Sequence, residues 1–260
     1  DVSGKILFDN TVNVSPAEPF CVEFPSNGVL AENMITDIYG QDGKLLLTYK
    51  ADKEEIKPLP NPAEAAKDPK EIASIEQLFL TGLHLEQYRH ATYNPMDYYE
   101  EALSRELGDV RCNNAMGLLW MRKGEFAKAE AHFRTAIKTL TQRNPNPYDG
   151  EPYFNLGWSC RMQGKIDEAY DAFYKAAWNA AWQDASYFEI ARIETIRGEY
   201  EKALESVEKS LTRNWHHHKA RQLKCSLLRK MKYNEKAVAF ADASLEIDSF
   251  NMGCRYERYL

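Results

Sequence analysis

The feature that most restricts what this chain can fold into is a spacing of small and aromatic residues that returns along its C-terminal three quarters. Ala115, Met116 and Gly117 are followed by Gly124, Glu125 and Phe126, then by Ala129, Phe133 and Ala136. Asn155, Leu156 and Gly157 precede Gly164, Lys165, Ile166, Ala169, Phe173 and Ala176 in the same order. A third copy runs Glu189, Ile190, Ala191, Gly198, Glu199, Tyr200, Ala203, Val207 and Ser210. A fourth, weaker copy has Lys224 and Cys225, then Ala237, Ala241 and Ser244 to Asp248. The small residue therefore recurs at 117, 157, 191 and 225, in steps of 40, 34 and 34. The longer first step is absorbed by the turn-rich stretch Asn144 to Gly150. A degenerate copy precedes these, with Gly82 and Leu83, Pro95, Tyr99 and Ala102 at the matching sites.

This spacing predicts pairs of antiparallel helices joined by tight turns. Gly124, Gly164 and Gly198 end the first helix of each pair. Gly117 and Ala129 are small where the two helices cross. Ala129, Phe133 and Ala136 step by four and three, which puts them on one helix face. One hairpin cannot bury that face, so the next unit must cover it. On this reading Gly117→Leu disrupts the crossing, whereas Gly150 is a tolerant loop position.

Residues 1–50 read as a small β-rich segment. Ile6–Phe8, Phe20–Phe24 and Met34–Tyr39 are short apolar runs, and Gly40 and Gly43 suit a hairpin turn into Leu45–Tyr49. Fifty residues are marginal for an independent β domain, so these strands are expected to pack on the helices or to complete a β domain lying upstream. Residues 51–71 carry Pro58, Pro60, Pro62 and Pro69 and read as a linker. The array then occupies 72–260, with repeats at about 76–109, 110–149, 150–183, 184–217 and 218–251. After Ser249 the short apolar tail, with Phe250, Met252, Tyr256, Tyr259 and Leu260, is expected to cover the last repeat or to serve a homotypic contact.

Composition narrows the function. The 260 residues are 44% hydrophobic and 28% charged, with no apolar run long enough to span a bilayer. The net charge of −6 arises in residues 1–71, where 13 acidic side chains face 7 basic ones; the remainder balances. Neither part has the basic excess of a nucleic-acid binder. The five cysteines are scattered and form no CxxC, which suits buried free thiols in a reducing, cytoplasmic setting. There is no P-loop, dinucleotide fingerprint or nucleophile elbow. The expectation is a non-enzyme without cofactor or metal.

The pattern of small residue, aromatic, turn glycine, aromatic, alanine, phenylalanine and alanine resembles the tetratricopeptide family. That resemblance implies a mainly α solenoid of four to five hairpins behind the β-rich segment, and a protein-binding role. Thr81–His90, Leu140–Glu151 and Phe173–Trp178 also look like the C-terminal half of large bacterial proteins. Those place a carbohydrate-mutarotase-like domain of unknown function ahead of such an array. The likeness implies a larger module before Asp1, and from it no catalytic residue carries over.

In this family the first helix of each hairpin lines the concave face. Counted on the repeats, that face holds Arg111, Asn114, Arg122, Phe154, Trp158, Arg161, Phe188, Arg192, Lys219, Gln222, Arg229 and Lys230. Basic residues with interleaved aromatics and almost no acids suit a protein or peptide segment of acidic character, or the chain's own upstream β domain. Arg161→Glu or Arg192→Glu should then weaken binding without loss of stability. The competing explanation is that the three aromatics simply pack on neighbouring helices. Trp215 with His216, His217 and His218 reads as a solvated loop with the tryptophan tucked in, since adjacent helical residues cannot share one metal. His84, Glu86, Arg89 and His90 read as a structural polar network holding the first hairpin to the β segment. Asp149 and Glu151 fit turn and capping chemistry better than paired catalytic carboxylates. The function expected is an interaction scaffold within a larger bacterial carbohydrate-related protein. The alternatives are an accessory region lining the active site of an upstream glycosidase-like module, and a homodimer formed through the array.

Overall fold

The computed structural model describes residues 1–14, 20–51, 59, 64–88 and 91–260. The chain divides into two units, Asp1–Glu64 and Ala65–Leu260. In the second unit the helices follow one another as hairpins: α1 (Ile75–Gln87) with α2 (Pro95–Arg105), and α3 (Val110–Arg122) with α4 (Phe126–Leu140). Then come α5 (Glu151–Met162) with α6 (Ile166–Ala176), α7 (Gln183–Ile196) with α8 (Tyr200–Arg213), and α9 (His218–Lys230) with α10 (Asn234–Ile247). A shorter helix, α11 (Met252–Tyr259), follows α10. The starts are set locally: the Ser74, Asn94 and Asp109 side chains accept first-turn N–H groups, and Pro95 opens α2.

Each hairpin closes on a matched pair of sizes. A Cβ added at Gly117 would come closer than 3.0 Å to three ring atoms of Phe133, and one at Gly157 would do the same to Phe173. At Gly82 it would lie 2.6 Å from Tyr99 Cε1. Phe133, Phe173 and Tyr99 are fully buried. In the fourth hairpin Ala191 and Val207 occupy these sites, and in the fifth Cys225 and Ala241, all fully buried. The large member shrinks as the small one grows, and the two helix axes keep their approach.

The turns are equally repetitive. Gly124, Gly164 and Gly198 have φ of 77°, 78° and 78°, and the residue after each donates back into the last turn. Glu125 N–H reaches Trp120 O at 3.0 Å, Lys165 N–H reaches Cys160 O at 2.9 Å, and Glu199 N–H reaches Glu194 O at 2.9 Å. Lys232 holds the same site in the fifth hairpin with φ 68°, and Tyr233 N–H closes on Leu228 O at 2.9 Å. The bonding pattern is kept without the residue that suits it.

Gly150 does not behave as an open loop position. It is buried at the N-cap of α5, and a Cβ there would lie 2.9 Å from Asn179 Cβ and 3.1 Å from Ala176 O. The loop is folded back onto the end of α6, where Lys175 Nζ donates to Asn146 Oδ1 at 2.6 Å and the Asn179 amide donates to Tyr148 O.

The first unit holds one antiparallel hairpin among its described residues, β1 (Ile35–Tyr39) with β2 (Leu45–Lys50). Ile35 pairs with Lys50 and Tyr39 with Leu45, and Gly43 takes φ 74° in the turn. Ile6–Phe8 and Phe20–Phe24 are not strands; Phe8 and Phe24 stack instead, with centroids 5.2 Å apart. An apolar run becomes a strand only with an edge to pair and a face to bury, and every residue of β1 and β2 is itself exposed.

Two outcomes follow for thermal unfolding. Gly117→Leu should cost about 1–3 kcal/mol by overpacking, while Ala131→Leu on the exposed side of α4 should stay within about 0.5 kcal/mol. Equal costs would contradict the crossing. Lys232→Gly should raise stability by about 0.5–1 kcal/mol by relieving the left-handed backbone; a loss would show that the lysine side chain is needed there.

Candidate functional site: the first-helix face

The residues expected on the groove lie on α3, α5, α7 and α9, and most of the arginines meet carboxylates. Arg111 pairs with Glu76 of α1 at 2.5 Å and lies over the Phe79 ring at 4.8 Å. Arg122 pairs with Glu86 of α1 at 2.6 Å, and Glu86 also accepts from the Tyr99 hydroxyl at 3.2 Å. Arg161 reaches Glu189 at 2.5 Å across to α7, and Arg192 reaches the same carboxylate at 3.0 Å. Arg229 donates to Glu257 of α11 at 2.8 Å.

A uniformly basic groove is therefore replaced by arginines largely paired with acids that stand outside the positions counted. The missed partners had a signal. Glu189 follows Arg161 by 28 residues, and Glu257 follows Arg229 by 28. The same inter-hairpin pair is written twice in one register.

The aromatics divide. Phe154 lies 5.5 Å from Phe173 and 4.8 Å from Trp182, and Trp158 meets Phe173 edge-on at 6.5 Å. Phe188 is 9% exposed and its ring lies tilted against that of His217, with centroids 4.6 Å apart. Phe188 is thus mostly core, whereas Trp158 remains half-buried with the Arg161 guanidinium 5.2 Å from its ring. Asn114 is engaged by Asn155, whose amide donates to it at 2.9 Å.

At the C-terminal end α11 lies against part of the face. The backbone of Gly253 in α11 stands against the Gln222 side chain, which would have to move for a Cβ there. Arg229 is tied to the same helix, while Lys219 and Lys230 stay exposed. The tail thus supplies the covering helix: Asn251 caps it by accepting Cys254 N–H at 3.1 Å, and Cys254 is fully buried. Phe250, Met252, Tyr256, Tyr259 and Leu260 remain on its exposed side.

The other polar clusters resolve into structural roles. His217 caps α9 by accepting Ala220 N–H through Nδ1 at 3.2 Å, and burial lowers its pKa. Trp215 is not tucked in but 54% exposed, lying over Arg221 at 4.4 Å. The His84 ring lies 4.5 Å from that of Tyr88, while Arg89 and His90 fall outside the described residues. Asp149 accepts Glu151 N–H at 2.9 Å, which is turn chemistry at the start of α5.

One trio has metal-like proximity: Glu130, Cys160 and Glu168 offer ligand atoms within 4.8 Å of one another. Cations of the protein already fill that space. Glu130 accepts from Arg134 at 2.8 Å, Gln163 at 2.7 Å and Lys165 at 2.6 Å, and Arg134 also binds Glu168. Burial alone would raise the Glu130 pKa, but the bonds from Lys165, Arg134 and Gln163 outweigh it and hold it at about 2. Burial raises the Cys160 thiol to about 11, so it stays neutral. This is an ion-pair staple between adjacent hairpins.

No known protein-family model matches the chain. Among solved structures it is similar to YrrB, described as a TPR protein with an unusual peptide-binding site, at 14% identity and TM-score 0.59, over 72% of this chain and 93% of that one. It is also similar to MamA from Desulfovibrio magneticus RS-1, at 15% identity and TM-score 0.56, over 67% and 95%. PilF of Pseudomonas aeruginosa gives 18% identity and TM-score 0.57, over 66% and 75%. These likenesses concern the fold: the second unit is a tetratricopeptide-type array of helical hairpins. No helix among the described residues is long and apolar enough to cross a membrane.

The staple predicts a pH dependence. The Glu130 pKa is depressed on folding, so its contribution is complete above about pH 4.5 and is lost as pH falls towards 2. Glu130→Gln should cost about 1–2 kcal/mol at neutral pH and flatten the acid-unfolding curve between those limits. An unchanged curve would contradict the staple.

Proposed function

We propose that the array is a non-catalytic interaction scaffold whose first-helix face receives an acidic peptide segment, with Arg161 and Arg192 at its centre. The observation that carries this reading is the convergence of two guanidiniums on one carboxylate, Glu189. One positive charge is left over, beside the half-buried ring of Trp158. Guanidinium groups present more donors than one carboxylate can accept, and an incoming carboxylate makes a charge-assisted contact there. Lys219 and Lys230 extend the basic character along the array, Arg111 and Arg122 are matched by Glu76 and Glu86, and Asn114, Phe154 and Phe188 shape the floor. Gln222 and Arg229 belong to the end that α11 covers.

The solved neighbour described as having a peptide-binding site supports looking for a peptide. The sequence likeness to larger bacterial carbohydrate-related proteins supports the β module of a longer polypeptide as one source of the segment. Four buried free cysteines suit a reducing, cytoplasmic setting. A homodimer remains a reading for the exposed aromatic side of α11, where Tyr256 and Tyr259 stand in the open.

Arg192 is the residue to change. Arg161 has 15% of its side chain exposed and is bound to Glu189, so Arg161→Glu would set two carboxylates together and cost stability. Arg192 is more open, at 37%. Calorimetric titration of the full chain with a Glu-rich peptide and its Gln analogue at low salt should show binding of the first only. Arg192→Gln, which leaves Arg161 to neutralise Glu189, should weaken that binding about tenfold or more, with little change in melting. A chain that binds neither peptide, or binds both regardless of the change, removes this reading.

A further inference from the structure

Cys225 on α9 and Cys254 on α11 are both fully buried, with their Sγ atoms 3.9 Å apart. Their meeting has a cause in the repeat. Cys225 stands at the site that Gly117 and Gly157 hold earlier, but the partner across the hairpin is Ala241 rather than a phenylalanine ring. The volume a ring would fill is shared by the two sulfurs.

Beside them lies Arg221, whose side chain is wholly buried with no carboxylate paired to it among the described residues. Its Nε donates to Ser244 Oγ at 3.0 Å and its Nη1 to Trp215 O at 3.2 Å. The guanidinium sits over the rings of Trp215 and Phe240, at 4.4 and 4.7 Å. Nη2 has no hydrogen-bond partner. A buried cation without an anion is costly, and the ionisable groups acting on this one are Cys254 and Cys225.

We propose that Cys254 and Cys225 form a reversible thiol-oxidation site, with Arg221 as the counter-charge of a Cys254 thiolate, and that their disulfide locks α11 onto α9. The hydrogen bond from Cys225 lowers the Cys254 pKa and the Arg221 charge adds to this, while the Cys225 thiol is pushed up. The buried Cys112 and Cys160 have no such arrangement, and burial raises both.

The oxidant class is a peroxide. The Cys254 thiolate attacks one peroxide oxygen; the S–O bond forms, the O–O bond breaks, and the departing hydroxide takes a proton to become water. The Cys225 sulfur then attacks Cys254, forming S–S and breaking S–O, and its proton leaves with that oxygen as a second water. Two thiols are oxidised and one peroxide is reduced, and a dithiol reductant reverses the change. Opening of α11, a helix of only eight residues, admits the oxidant. Closure then needs the sulfurs to approach to about 2.05 Å.

The test uses the full reduced chain treated with hydrogen peroxide, with remaining thiols alkylated before peptide mapping. The expected product is a Cys225–Cys254 cross-link within one chain, an intact mass lower by two hydrogens, and full reversal by dithiothreitol. Amide exchange in α11 should slow about tenfold or more once the link forms. In Cys225→Ser, a sulfenic-acid trap should label Cys254; in Cys254→Ser, it should leave Cys225 unlabelled. Oxidation confined to the exposed Cys21, with Cys225 and Cys254 both alkylated, would overturn the site. So would a cross-link that forms no faster in the folded chain than in urea. Unchanged exchange in the linked chain would overturn the lock, and labelling of Cys225 in preference to Cys254 would overturn the assigned roles.

Discussion

In each hairpin the two helices approach so closely that one residue can have almost no side chain, and the space it vacates is filled by the ring or branch opposite. Gly117 with Phe133 and Gly157 with Phe173 are the tightest cases, and Ala191 with Val207 is the intermediate one. The remaining order follows from that contact. Once the crossing is fixed, Ala129 and Ala136, and in the next copy Ala169 and Ala176, are wholly buried along one face. The next hairpin can then settle against that face.

Polar contacts hold one hairpin to its neighbour in the same register. Glu130 of α4 binds Gln163 and Lys165 at the end of α5, and Arg197 after α7 reaches Asp167 of α6 at 2.5 Å. Arg161 with Glu189, and Arg229 with Glu257, repeat one pairing two hairpins apart. By the second of these, α11 stands to α9 as α7 stands to α5. Partly exposed pairs of this kind are modest sources of stability, but they penalise any slip in register. The same contacts take up most of the guanidinium charge on the first-helix face, while Lys219 and Lys230 stay exposed.

Much of this was legible beforehand because the repeat carries its own geometry. The positive φ at Gly124, Gly164 and Gly198 follows from glycine ending the first helix, and Lys232 was identifiable as the exception by its place in the period. What escaped sequence reasoning depends on contacts between units. The acids facing Arg161 and Arg229 lie on the following helix, and a count of positions along one helix does not include them. The capping helix α11 lacks the small and aromatic signature, although Asn251 at its start and Glu257 in register with Arg229 announce it. Gly150 looked like loop and proved to be packed, because turn-forming residues reveal a bend and not what it folds against. In the first unit, apolar runs at Ile6–Phe8 and Phe20–Phe24 signalled burial without a partner edge, and among the described residues only the Gly40–Gly43 turn produced a hairpin.

The claim on which the account turns is that the small residue and the ring opposite it are one structural unit. A double-mutant cycle on the second hairpin tests it directly, with Gly117→Ala, Phe133→Ala and the pair measured by equilibrium unfolding. The account predicts that the double variant is more stable than the sum of the single losses implies, by about 1 kcal/mol or more, because removing the ring makes room for the added Cβ. Strictly additive losses would contradict it.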